Sequence, residues 1–354
     1  MKRWLLVINP GNTSTKIGLF NGTKARTVES IKHGDDELAR FADINAQMEF
    51  RTNLVLEWLA RQEVALPQLT AVAARGGLLK PLASGTYIVS EEMIRDLILA
   101  RRGQHASNLA AQIGFAVAQK AGVPCYIVDP VSVDEAEPVA RYSGHRLFQR
   151  IMLTHALNMK AVAKRFAREK KKEYRALTLI VIHLGTGVSL SLHRGGKMID
   201  AVNPSEEGAF SMDRSGGLPI LQVARHILEN KLTYAEFEKL VFGNGGVFSY
   251  LGSKDFIKVK DLYLQGDPLA VEVVEAMAYQ IAKEAGALST VVNGRIDHFL
   301  ITGGMAFNGF FVQLIRQRIE FIAPVHVYPG EDEMQALAEG VCRVLEKEEP
   351  ALAY

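Results

Sequence analysis

Apolar positions along the chain fall into short, nearly unbroken runs, separated by longer segments where they recur every three or four residues. The first kind predicts strands and the second amphipathic helices. Strands are expected at 4–9, 16–20, 70–74, 86–89, 124–128, 178–184, 188–193, 298–302 and 325–328. Strands alternating with helices point to an α/β architecture. Segment 267–292 opens on Asp267-Pro268, an N-cap followed by a residue suited to the first helical position, and predicts a long helix. A last helix is expected over about 332–347, with Met334, Leu337, Ala338, Val341, Cys342 and Leu345 on one face.

Two segments share one plan. Residues 4–22 (WLLVINPGNTSTKIGLFNG) and 178–196 (TLIVIHLGTGVSLSLHRGG) each run from a buried-type strand through a turn of glycine and small hydroxyl residues to a second strand and a glycine hairpin. Either two hairpins are alike by chance, or the chain holds two similar domains, each lending one turn to a shared cleft. The turns favour the second reading. Asn9, Gly11, Asn12, Ser14 and Lys16 put amides, hydroxyls and an ammonium in one tight turn, and Gly185, Thr186 and Gly187 repeat its composition. Glycine lets the backbone approach an anion, and successive N–H groups form a concave anion-binding surface. Neither turn is a Walker A loop, and Leu190 stands where a dinucleotide fingerprint needs its third glycine. Singly each is equally a plain hairpin; as a pair they favour nucleotide phosphates. A third segment, Thr302 to Asn308 with Gly303 and Gly304, joins a strand to a helix. It suits a close ligand such as adenosine, or is simply a tight turn.

With 354 residues the chain has room for two domains. Its 48% hydrophobic and 23% charged residues are those of an ordinary globular protein. A net charge of +2, scattered along the chain, excludes a nucleic-acid binder, and the basic run Arg165–Lys172 reads as the solvated end of a helix. Two cysteines, Cys125 and Cys342, both in apolar segments, suit a reducing compartment better than a disulfide framework. No apolar stretch approaches the ~18–20 residues of a membrane span, and the first residues enter a strand without a cleavage-site pattern. The chain therefore reads as cytoplasmic, without membrane partners.

The turns at 9–16 and 183–189, the segment 203–219 (NPSEEGAFSMDRSGGLP) and the glycines at 303–304, in this order and spacing, resemble the acetate and sugar kinase/heat-shock chaperone/actin superfamily. Within it the chain is similar to the acetate kinase family, more closely to its butyrate kinases, over essentially its full length. The resemblance implies an α/β fold of duplicated ribonuclease-H-like domains, as in actin-like ATPases, facing a nucleotide cleft. The first domain would span 1–150, with 332–354 returning to pack on it, and the second 151–331. It further implies ATP and Mg2+ as cofactors, a small carboxylic acid as substrate, and a homodimer or larger homo-oligomer.

Triphosphate and carboxylate repel each other, so arginines are the expected clamps. Arg75 and Arg214 each lie beside paired glycines, where a ligand can approach. The resemblance matches both to the arginines that hold the carboxylate and the transferring phosphoryl group. His155 falls on an apolar stripe with Leu147, Ile151, Met159, Val162 and Phe166 and on its own reads as a core histidine. The resemblance instead places the family's active-site histidine here, and another near the site at His105. His183 ends a strand before the second turn and either orients it or packs. Asp129, at the end of a buried-type strand, faces a ligand crevice or caps the following turn; the resemblance matches it to an active-site aspartate. Glu331, Asp332 and Glu333 open the last helix where acids suit a helix N-terminus in any case. The family's metal-linked glutamate falls there, with Glu333 first and Asp332 next. Gly77 and Thr154 stand where acetate kinases carry bulkier groups around the acid's methyl end, and Thr186 replaces an asparagine of their turn. The lost bulk at Gly77 and Thr154 points to a longer acid, each buried methylene contributing about 0.8 kcal/mol, while Thr186 implies a phosphate contact of a different kind.

These expectations converge on butanoate + ATP = butanoyl phosphate + ADP by direct in-line transfer. The rivals are a propionate or acetate kinase and, from another class, a nucleotide-dependent regulatory protein on the same fold.

Overall fold

The computed structural model describes residues 4–354. The chain divides into two compact units: Met1–Asp134 with Ala156–Asn158 and Asp332–Tyr354, and Glu135–His155 with Met159–Glu331. Residues 135–150, expected in the first domain, thus group with the second unit.

The first unit is built on a six-stranded sheet of β1 (Trp4–Pro10), β2 (Ser14–Asn21), β3 (Lys24–Lys32), β4 (Leu69–Arg75), β5 (Thr86–Ile88) and β6 (Cys125–Val128) in the order β3-β2-β1-β4-β6-β5. Every residue of β1 is buried, because the strand has neighbours on both edges and cover on both faces. It runs antiparallel to β2 and parallel to β4. Side chains alternate across a strand, and two glycines mark the two coverings. A Cβ at Gly114, in the helix Ser107–Ala121, would lie 3.0–3.4 Å from Cys125, Ala74 and Val72; one at Gly340, in the last helix Glu333–Leu345, would lie 2.5 Å from Val128. Val128 points opposite to Cys125 and Ile127, so the C-terminal helix covers the other face. Residues 332–354 accordingly belong to this unit.

A surface hairpin, β7 (Tyr142–His145) and β8 (Phe148–Gln149), precedes the second sheet. That sheet contains β9 (Leu179–Leu184), β10 (Val188–Arg194), β11 (Lys197–Val202), β12 (His298–Gly303) and β13 (Val325–Pro329), ordered β11-β10-β9-β12-β13. Three antiparallel strands followed by two parallel ones repeat the core order of the first sheet, the duplicated pattern read from the two glycine hairpins. Ile180, Ile182 and Leu184 of β9 join the core with the helices Pro268–Thr290 and Gly309–Ile319, while Leu179 and Val181 face the helix Ala156–Glu169. The long helix begins as expected: the Asp267 carboxylate accepts from the Ala270 N–H at 2.8 Å, with Pro268 in its first turn.

One expected stripe is corrected. The helix after the hairpin begins at Ala156, with His155 at its N-cap position. Leu147 and Ile151 therefore lie outside it and are 71% and 49% exposed. His155 is at a helix entrance, where its ring can meet other groups, rather than on a core face. Among the described residues no helix is long and apolar enough to cross a membrane, and Cys125 and Cys342 are buried and unbridged.

Candidate active site

Each unit gathers its own polar constellation. In the first, the strand ends β1 and β4 and the start of the last helix bring together residues far apart in sequence. Asn9 donates through Nδ2 to Glu333 Oε2 at 2.6 Å, and Arg75 Nη1 reaches the same oxygen at 2.8 Å and Asn9 Oδ1 at 3.4 Å. The Arg75 side chain keeps 20% of its exposure and that of Glu333 10%. Asn12 and Lys16 are exposed and Ser14 half-buried, while the Gly11 N–H closes the turn on the Ser14 carbonyl at 2.8 Å. At the edge of this turn the chain therefore offers a guanidinium, an amide and exposed donors, with one carboxylate holding the guanidinium in place.

Asp129 does not cap the turn after it. Its Oδ1 accepts from Ser84 Oγ at 2.6 Å and from the Gly85 N–H at 2.8 Å, its φ is +38°, and it is 3% exposed. The carboxylate thus pins the loop before β5. His105 is exposed, and its Nδ1 lies 2.7 Å from Ser107 Oγ and 3.1 Å from the Ser107 N–H, at the start of the helix Ser107–Ala121. Gly77 corrects an expectation about space. A Cβ there would lie 2.4 Å from Asn108 Oδ1 and 2.9 Å from Leu97, so the volume expected to be open is filled by those side chains. Glycine is needed because Asn108 crosses it to accept from the Leu78 N–H at 2.8 Å.

In the second unit the β9–β10 turn lies against an arginine. A Cβ on Gly187 would come 2.6 Å from Arg214 Nη1, so the glycine is what lets the guanidinium rest on this turn. Arg214 also lies over the Phe242 ring, 4.2 Å from its centroid, and burial draws its pKa below the ordinary value without removing its charge. Ser211 Oγ donates to the Thr186 carbonyl, tying the segment 203–219 to the turn. Arg150, which no motif or spacing singles out, anchors the same segment: Nε and Nη2 grip both Glu207 oxygens at 2.9 Å, and Nη1 reaches Asp200 at 3.1 Å.

His183, fully buried at the end of β9, stacks on His155 with centroids 3.9 Å apart and planes 9° from parallel. Its Nε2 lies 3.0 Å from Glu331 Oε1, and His155 Nδ1 lies 2.8 Å from Ser189 Oγ. Thr154 is buried beside this pair, and among the described residues its Oγ1 has no hydrogen-bond partner. Gly303 has φ +94° and exchanges backbone hydrogen bonds with Gly330 at 3.0 and 3.2 Å. Gly304 is exposed, and the Asn308 side chain turns to the Met305 carbonyl at 3.4 Å.

Residues 142–328 match the acetokinase family. The chain is 46% identical over 351 residues to Butyrate kinase 1 of Clostridium acetobutylicum, covering 99% of each. It is equally identical to a probable butyrate kinase of Enterococcus faecalis, covering 99% of this chain and 97% of that one. Among solved structures it resembles Porphyromonas gingivalis acetate kinase (TM-score 0.80, 18% identity, 97% of this chain and 100% of that one). A Francisella tularensis propionate kinase is similar (TM-score 0.77, 17% identity, 96% and 98%). The likeness to these structures carries the actin-like ATPase fold.

Proposed function

The chain belongs to the acetokinase family, and from that premise we propose that it transfers the γ-phosphoryl group of ATP reversibly to the carboxylate of butanoate. The observation that carries this reading is the 46% identity, end to end, with Butyrate kinase 1.

In the forward direction a carboxylate oxygen forms a bond to the γ-phosphorus as the bond to the β,γ-bridging oxygen breaks, leaving butanoyl phosphate and ADP. Such a transfer asks for positioning and for neutralisation of spread negative charge, more than for covalent help from the protein. Arg75 is assigned to the carboxylate and Arg214 to the phosphoryl oxygens; planar guanidinium forks bind either bidentately. His155, whose Nδ1 lies 2.8 Å from Ser189 Oγ, is assigned to hydrogen-bond a phosphoryl oxygen. Asn9, Gly11, Asn12, Ser14 and Lys16 hold phosphate from one turn and His183, Gly185, Thr186 and Gly187 from the other. Gly303, Gly304 and Asn308 are assigned to the nucleoside, Asp129 and His105 to shaping the acid's surroundings. Mg2+ would supply charge neutralisation on the phosphates. Its donor set fits a hard cation: Glu333 and then Asp332 offer carboxylate oxygens, and phosphates and waters complete the shell. Among the described residues no cluster of three or more His, Cys, Asp or Glu is poised for a metal.

A second reading, with acetate or propionate preferred, is favoured by the filled space at Gly77. Both are tested by trapping acyl phosphate with hydroxylamine from Mg·ATP and acetate, propionate, butanoate or isobutanoate, side by side. The four-carbon acids should give most product. Equal or greater kcat/KM with acetate would favour the second reading, and no product from any acid would favour a nucleotide-dependent regulator.

A further inference from the structure

The turn at 10–14 is gripped from its buried side by one arginine. Arg51, on the helix Met48–Arg61, is 1% exposed. Its Nη1 donates to the carbonyls of Gly11 at 2.8 Å and Ser14 at 3.1 Å and to Thr15 Oγ1 at 3.2 Å. Its Nη2 donates to the Asn12 carbonyl at 2.9 Å and, with Nε, to Gln47 Oε1 at 2.7 and 3.1 Å. All these acceptors are neutral. Thr15 Oγ1 also meets His33 Nε2 at 2.8 Å; burial, then the Arg51 charge, lowers the His33 pKa, so that ring is neutral.

A trans peptide points its C=O and its N–H in opposite directions. With the Gly11 and Asn12 carbonyls turned inward to Arg51, the N–H groups of Asn12 and Thr13 turn outward. Both residues are exposed, and among the described residues neither N–H donates to a protein acceptor. Successive outward N–H groups beside a buried cation form an anion-binding nest. Holding three carbonyls and a hydroxyl at once needs a planar, five-donor fork; a lysine ammonium has three donors at one point. Burying that fork away from any bonded carboxylate is costly, a cost a plain hairpin gives no reason to retain.

We propose that Arg51 is a positioning residue for the nucleotide, fixing the peptides at 11–13 with their N–H groups toward a phosphoryl oxygen that Arg51 itself never touches. The proposal rests on reading the 9–16 turn as a phosphate loop. Arg51→Lys keeps the charge and loses the fork. The expected result is about tenfold or more weaker ADP binding by titration calorimetry and a parallel rise in KM for ATP, with KM for the acid unchanged. A merely structural role would lower Tm and active fraction, hence kcat, while leaving ADP affinity intact; that result overturns the proposal. Should Arg51→Lys not fold, Gln47→Met removes the acceptor that orients Nε and Nη2 and leaves the turn's own residues in place. It should weaken ADP binding about threefold or more, and unchanged affinity there overturns the proposal equally. Wild-type protein that binds no ADP would overturn the phosphate reading together with the role of Arg51. Wild-type binding retained in the variants would remove the role of Arg51 alone.

Discussion

Arg214→Ala should lower kcat at saturating Mg·ATP and butanoate by about 10³-fold or more, the scale on which arginines that stabilise a transferring phosphoryl group act. The fold should survive. The guanidinium rests on Gly187 and over the Phe242 ring, and losing a cation–π contact costs only about 0.5–2 kcal/mol. Arg214→Lys should recover little, because an ammonium cannot grip two phosphoryl oxygens as a fork does. Gly187 supplies an internal check, since a side chain there would push the guanidinium off the turn without altering its charge. Steady-state kinetics with a thermal melt on the same preparation decide the matter; near-normal turnover would remove Arg214 from the phosphoryl group.

Gly303→Ala should destabilise the second unit by roughly 2–6 kcal/mol, enough to deplete folded protein. Two costs combine. A φ of +94° strains any residue with a Cβ by about 1–3 kcal/mol. The new methyl would also lie 2.4 Å from the Leu184 carbonyl oxygen, in backbone that cannot rotate aside, adding about 1–3 kcal/mol. Gly286→Ala is the control: it lies inside the helix Pro268–Thr290, its Cβ would meet nothing within 4 Å, and alanine there should be neutral or mildly stabilising. Urea midpoints measure both, and a wild-type midpoint for Gly303→Ala would refute the strain argument.

The duplicated sheet was legible because β1 and β9 are covered on both faces and so read as continuous apolar runs. β3 was not: seven of the residues in KARTVESIK are exposed and two half-buried, so this edge strand carries no alternation to read. The hairpin β7–β8 was silent for the same reason, its residues all being exposed. The glycine turns were visible as composition, but the partners that shape them were not. Arg51 acts on backbone carbonyls, which every sequence has, and Arg150 closes on Glu207 across 57 positions. The pairing of Arg75 with Glu333 spans 258 positions and depends on the C-terminal helix returning to the first sheet. Leu147 and Ile151 continue the apolar spacing backwards through His155, yet the helix stops short of them, and periodicity alone cannot locate that stop. Gly77 looked like removed bulk, yet its missing side chain makes room for Asn108.

Incubating the purified protein with Mg·ADP and butanoyl phosphate, and following ATP by luminescence, tests the proposed transfer most directly. An acyl phosphate is a high-energy donor, so ATP should appear promptly and in proportion to enzyme, with one butanoate released per ATP. Butanoyl phosphate left untouched, or hydrolysed with no ATP formed, would contradict a phosphoryl transfer between carboxylate and nucleotide.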